Sequence, residues 1–185
     1  MVAEDSRRLV VDVCVLASCS RKRKRQDIER GRSEHCVDFL KAVLKICHHL
    51  VLTPQTLTQY NKCWCKFATK WRRSMFQMGK RDWFPKTVDD NLRAEIEAAA
   101  SDENDLKVVE EDIHLIEAAL RTDRCVVSLD EKARAFFARA SRKVAQIRDV
   151  VWVNPERMEE KPLDWLENGA QAEEKRMLGF RAGQC

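Results

Sequence analysis

The sequence predicts an α/β protein of three layers, with a mainly parallel central sheet between helices, and three observations lead there. Short apolar runs rich in β-branched residues recur at residues 9–13, 50–53, 125–129 and 150–153, and runs this short and uniformly apolar suit strands buried on both faces. Amphipathic patterns of helical period separate them. Strand and helix therefore alternate almost throughout, as crossover connections between parallel strands require. A chain of 185 residues, 44% hydrophobic and 35% charged with only five glycines, is long enough for one core and excludes collagenous and low-complexity classes.

The first strand, LVVDV at residues 9–13, carries Asp12 near its close. A basic loop over residues 20–33 follows, containing the run from Arg21 to Arg25, and then a helix with Cys36, Phe39, Leu40, Val43 and Cys47 on one face. After the second strand, Thr53 caps a helix and Pro54 fills its first position. The pattern predicts one long basic helix over residues 54–79, with Leu57, Tyr60, Trp64, Phe67, Trp71, Met75 and Met78 forming its apolar stripe. Further helices are expected at 87–100 and 106–120, the latter keeping Val109, Ile113, Ile116 and Leu120 inward, with a polar break at 101–105 between them. The strand at 125–129 leads into a helix at 131–144, for which Ser128 and Glu131 form a capping box. Asn154 and Pro155 stop the last strand. The tail, residues 156–185, is expected to form short helices packed on or flanking the 1–155 domain, anchored by Leu163, Trp165 and Leu178.

The net charge of +4 is modest, but it is segregated: residues 62–86 hold eight Lys or Arg against one acid, Asp82. Lys62, Lys66, Lys70, Arg72 and Arg73 in that stretch are candidates for contacts to RNA phosphates, with a solvated helix face as the ordinary alternative. The stripe with Trp64, Trp71 and Met75 beside them reads as core or dimer seam before it reads as a base-stacking platform. Even the most apolar stretch, residues 37–52, contains Asp38, Lys41, Lys45 and two histidines, so no spanning helix is expected. Nothing at the amino terminus reads as a signal peptide, and a cytoplasmic protein with reduced thiols is expected. The pairs His35-Cys36, Cys47-His48-His49 and Cys63-Trp64-Cys65 lack the repeated spacing of a zinc site.

Three acids stand out. In parallel α/β sheets functional groups gather at the C-terminal ends of the strands; Asp12 and Asp130 close two such strands, and Asp112 lies on a helix beside core positions. Each has an ordinary reading: a buried acid satisfied by partners, a helix cap, a surface acid. Held together, three carboxylates repel one another unless they share a hard divalent cation.

The segments LVVDVCVL at 9–16, LVLTP at 50–54, DIHLIEAAL at 112–120 and VSLD at 127–130 together resemble, in that order, the PIN-domain family of metal-dependent nucleases, across residues 9–155. The resemblance implies that Asp12, Asp112 and Asp130 hold Mg²⁺ or Mn²⁺ and cleave RNA, with Ser128, Gln59 and Cys14 adjusting the site. It also implies an endoribonuclease, including the toxin of a toxin–antitoxin pair, with an antitoxin or other protein partner and a homodimer. Two positions depart from the family: Cys14 stands where Asn, Thr or Ser is usual, and Gln59 stands where a fourth acid is expected. The alternative is a degenerate PIN domain, weakly active or inactive, that binds RNA or protein. Asp105, Glu111 and Glu117 are nearby acids, but Glu117 lies about 500° around the helix from Asp112 and is no replacement.

Overall fold

Alternation of side chains along each strand sets the architecture. In β1 (Arg8–Val11), Leu9 and Val11 enter one core while Val10 enters another. The same split recurs in β2 (His49–Leu52), β4 (Cys125–Val127) and β5 (Val151–Val153). A strand apolar on both faces must be covered on both, and helices do this. The computed structural model describes residues 6–20 and 33–183; the Arg21 to Arg25 run and most of the predicted basic loop lie outside them. With β3 (Arg81–Trp83) at one edge, it shows a five-stranded, all-parallel sheet in the order β3-β2-β1-β4-β5. The expected three-layer α/β class holds.

One face is covered by α1 (Val13–Ser18), α2 (Glu34–Lys45), α4 (Lys66–Gln77) and α8 (Pro162–Glu167). The other is covered by α5 (Asp90–Glu97), α6 (Glu103–Leu120), α7 (Glu131–Ala140) and α9 (Leu178–Ala182). In the tail, Trp165 and Leu166 complete the first core and Leu178 the second. Buried Arg134 on α7 ties the tail down through Glu160, at 3.0 and 2.9 Å. No described helix is long and apolar enough to cross a membrane. Cys14, Cys36, Cys47, Cys63, Cys65 and Cys125 are free thiols, and buried His48 is a structural residue, its Nδ1 accepting from the Arg7 amide and its Nε2 lying 3.0 Å from the Leu166 carbonyl.

Four local expectations need correction. The predicted helix 54–79 is two helices, α3 (Pro54–Lys62) and α4, separated at residues 63–65. Cys65 turns inward as the N-cap of α4, and Trp64 turns out to 95% exposure. A third strand, β3 (Arg81–Trp83), pairs with β2 although its sequence lacks an apolar run. Residues 13–18, read as the end of a strand and the chain beyond it, form α1. Finally, the N-cap of α7 is Asp130 and not Ser128.

Candidate active site

Asp12 lies one residue past the end of β1, where its backbone N–H donates to the Val127 carbonyl at 2.9 Å and so joins the ends of β1 and β4. Only 5% of Asp12 is exposed, so its carboxylate requires partners. Its Oδ1 caps α1 by accepting the Cys14 amide at 3.4 Å. Its Oδ2 accepts from the Ser128 hydroxyl at 2.7 Å and the Cys14 thiol at 2.8 Å. Ser128 in turn accepts the Asp130 amide at 3.1 Å, and Asp130 Oδ1 caps α7 through the Ala133 amide at 2.8 Å. One hydroxyl thus couples two acids across neighbouring strand ends. Both acids are caps, and the partial positive charge at a helix start favours a carboxylate in that place.

Asp112 has no such duty. It is half-buried in the interior of α6, and its carboxyl makes no hydrogen bond or ion pair among the described residues. Burial, and then the negative charges of Asp12 and Asp130, raise its carboxyl from the usual range to about 7. The three predicted acids therefore meet at the same sheet edge, close enough to act on one another. They are not drawn into a closed ligand set: among the described residues no three His, Cys, Asp or Glu groups form one.

Gln59 of α3 faces the same region, with Oε1 3.2 Å from Nε2 of His114. His114, two residues past Asp112, is 1% exposed and under the field of Asp12; burial outweighs that field and lowers its pKa, which favours the neutral ring. Sequence reasoning assigned His114 no role. Tyr60 was placed only in an apolar stripe, yet its hydroxyl donates to the Val11 carbonyl and fixes α3 against the strand end. Cys14 lies within the site, its sulfur also accepting the Leu129 amide at 3.2 Å. Burial first, and the Asp12 charge next, push its thiol well above the ordinary range, so it stays protonated and donates. Asp130, Cys14, Glu131, Asn154 and Arg157 border an open cleft of about 890 Å³ at this edge.

The other acids are committed elsewhere. Glu117 is buried and takes a two-point ion pair from Arg93 at 2.7 and 2.8 Å; Asp105 pairs with Arg139 at 2.6 Å; Glu111 is exposed. Lys62, Lys66, Lys70 and Arg73 are exposed at or beyond the end of α3, and Arg72 is half-buried. No protein-family model, curated protein or solved structure matches the chain. Three carboxyls and an amide are oxygen donors suited to Mg²⁺ or Mn²⁺, not to a soft metal. Burial is the first cause of the upward shift of Asp112; the further part, repulsion from Asp12 and Asp130, is what a bound cation would relieve.

Proposed function

We propose that the chain is a PIN-type, metal-dependent endoribonuclease whose working groups are Asp12, Asp112 and Asp130. The observation that carries the reading is Asp112, a half-buried acid whose carboxyl has no structural partner among the described residues, set where burial and then two other carboxylates raise its pKa to about 7. An acid so placed weakens the fold and has no packing reason to be there, the usual mark of a functional group. Asp12, Asp112 and Asp130 would hold Mg²⁺ or Mn²⁺ on their carboxylate oxygens, and the chemistry such a cation would supply there is activation of water and charge stabilisation for phosphodiester hydrolysis.

The remaining residues prepare that site. Ser128 and Cys14 donate to one oxygen of Asp12 and hold its carboxylate in place. The Asp130 cap fixes the third acid relative to α7. Asp112, whose carboxyl is raised to about 7 without metal, must lose its proton before it can serve as a ligand, so activity should rise with pH, with a midpoint that moves down as the metal concentration is raised. The order of the four sequence segments supports the family assignment, and the all-parallel sheet is compatible with it. The resemblance also supports an antitoxin or other protein partner, a homodimer and a cytoplasmic setting.

One observation favours the second reading, a degenerate binding module. The expected fourth acid is Gln59, which brings no charge and whose Oε1 lies against His114. The two readings separate in a cleavage assay with Mn²⁺ and varied single-stranded RNAs. Slow cleavage is expected, abolished by Asp12→Asn or Asp112→Asn and increased by Gln59→Glu. If neither the metal-loaded wild type nor Gln59→Glu cuts any of them, the enzyme reading fails and the binding module remains.

A further inference from the structure

The junction between α3 and α4 holds a feature that the acid edge does not use. A continuous helix would have placed Trp64 with Tyr60, Phe67 and Trp71; the break at residues 63–65 instead buries Cys65 and leaves the indole 95% exposed. Trp64 shares a cleft of about 710 Å³ with Asn61, Lys66, Lys70, Arg72 and Arg73, and no acid lines it. None of those four cations forms an ion pair among the described residues. Arg72 lies with its guanidinium 5.7 Å from the Tyr60 ring, and its Nη1 is enclosed without a hydrogen-bond partner among the described residues.

The cleft connects to the acids through α3. Tyr60, beneath Arg72, donates its hydroxyl to Val11, the residue before Asp12, and Gln59 faces His114 from the same helix. The topology also places the junction at the correct end of the sheet. α4 packs along α2 and delivers the chain to the start of β3, which runs parallel to β2, so α4 begins near the C-terminal strand ends.

We propose that this cleft docks single-stranded RNA, with one unpaired base stacked on Trp64 and its flanking phosphates on Lys66, Lys70, Arg72 and Arg73. The strand then continues toward Asp12, Asp112 and Asp130; this part rests on the ribonuclease reading of those acids. An exposed indole ringed by unpaired cations matches the two requirements of single-strand binding, a stacking face and an electrostatic track. A duplex keeps its bases stacked inside and offers none to the ring. The charge favours a polyanion over a neutral apolar partner.

The test measures binding of a fluorescent oligouridylate to the full chain in EDTA, where cleavage does not interfere. Trp64→Ala should weaken binding at least about five-fold, and Trp64→Phe should retain most of the affinity. Each of Lys66→Ala and Lys70→Ala should flatten the dependence of log Kd on log salt by about 0.7. Binding of Trp64→Ala within about two-fold of wild type, or equal affinity for duplex RNA, overturns the platform. So does a wild type that binds no single strand, which would make Trp64 a contact for a protein. Cleavage of the same oligonucleotide with Mn²⁺ is scored separately. Cleavage with Trp64 irrelevant removes the platform and keeps the nuclease; Trp64-dependent binding without cleavage, in the wild type and in Gln59→Glu, does the reverse.

Discussion

Asp112 carries opposite consequences for stability and for chemistry. Its pKa in the folded chain is raised to about 7 from an ordinary 3.8, so the folded state binds more protons than the unfolded one between those values. Stability therefore falls as pH rises through that window, and the full penalty is present above it. Asp112→Asn should raise the melting temperature at pH 8 by roughly 2–4 °C for each kcal/mol recovered, while activity disappears. The gain should shrink toward pH 4 and vanish below the ordinary 3.8, where Asp112 is neutral in the folded and the unfolded chain alike; an equal gain at pH 8 and at that acid limit would show that ionisation is not its cause. Mn²⁺ should stabilise the wild type more at pH 8 than at pH 6 and fail to stabilise Asp112→Asn, as thermal melts can check. Ser128→Ala removes both the donor to Asp12 and the acceptor for the Asp130 amide and should lower activity about 10- to 100-fold, since supporting partners of metal ligands commonly matter that much. The three acids were legible because two sit at strand ends and one on a periodic helix. The His114 and Gln59 contact was not, because it joins residues 55 apart and hydropathy has no signal for which polar groups meet.

At the level of elements, local patterns located the strands of the sheet interior and missed what tertiary contacts impose. β3 is half-polar, and neighbours make it a strand: Lys80, just before it, reaches the carbonyls of Leu44 and Ile46 at the C-terminal end of α2, and the chain then aligns along β2. The helix predicted over 54–79 had continuous periodicity, but Trp71 donates its indole N–H to the Leu40 carbonyl at 2.6 Å, while Tyr60 binds Val11. The break at residues 63–65 serves both anchors. Tyr60→Phe deletes one of them and leaves a buried carbonyl unpaired, which should cost about 1–3 kcal/mol in a denaturant titration and loosen Gln59 from the acid edge. Between α5 and α6, Arg93→Ala strands the buried Glu117 charge, and a loss of about 3–5 kcal/mol is expected. Replacing both by Leu should cost much less than that single change, as a double-mutant melt would show.

Over the whole molecule, both cores draw on the segment beyond residue 155, which sequence reasoning set apart as a tail. Trp165 and Leu166 enter one core and Leu178 the other, and the Leu178 amide donates to the Val150 carbonyl at 3.0 Å. Glu160 neutralises Arg134, whose side chain is only 2% exposed. A chain ending at residue 155 should therefore lose its cooperative thermal transition; a sharp melt from that fragment would show that residues 9–155 stand alone. The alternation of short apolar runs with amphipathic segments revealed the layered class, but the partner of a buried arginine cannot be read from spacing.

The outward turn at Trp64 also bears on how such a protein diverges. Asp12, Ser128 and Asp130 are locked to strand ends whose neighbours face two cores in alternation, so adding or deleting one residue there would exchange the cores and scatter the acids. The α3–α4 junction has no such constraint on its exposed side. Its length and its ring can vary while the strand register stays intact, so under the proposed ribonuclease reading a change of RNA preference would leave the three acids undisturbed.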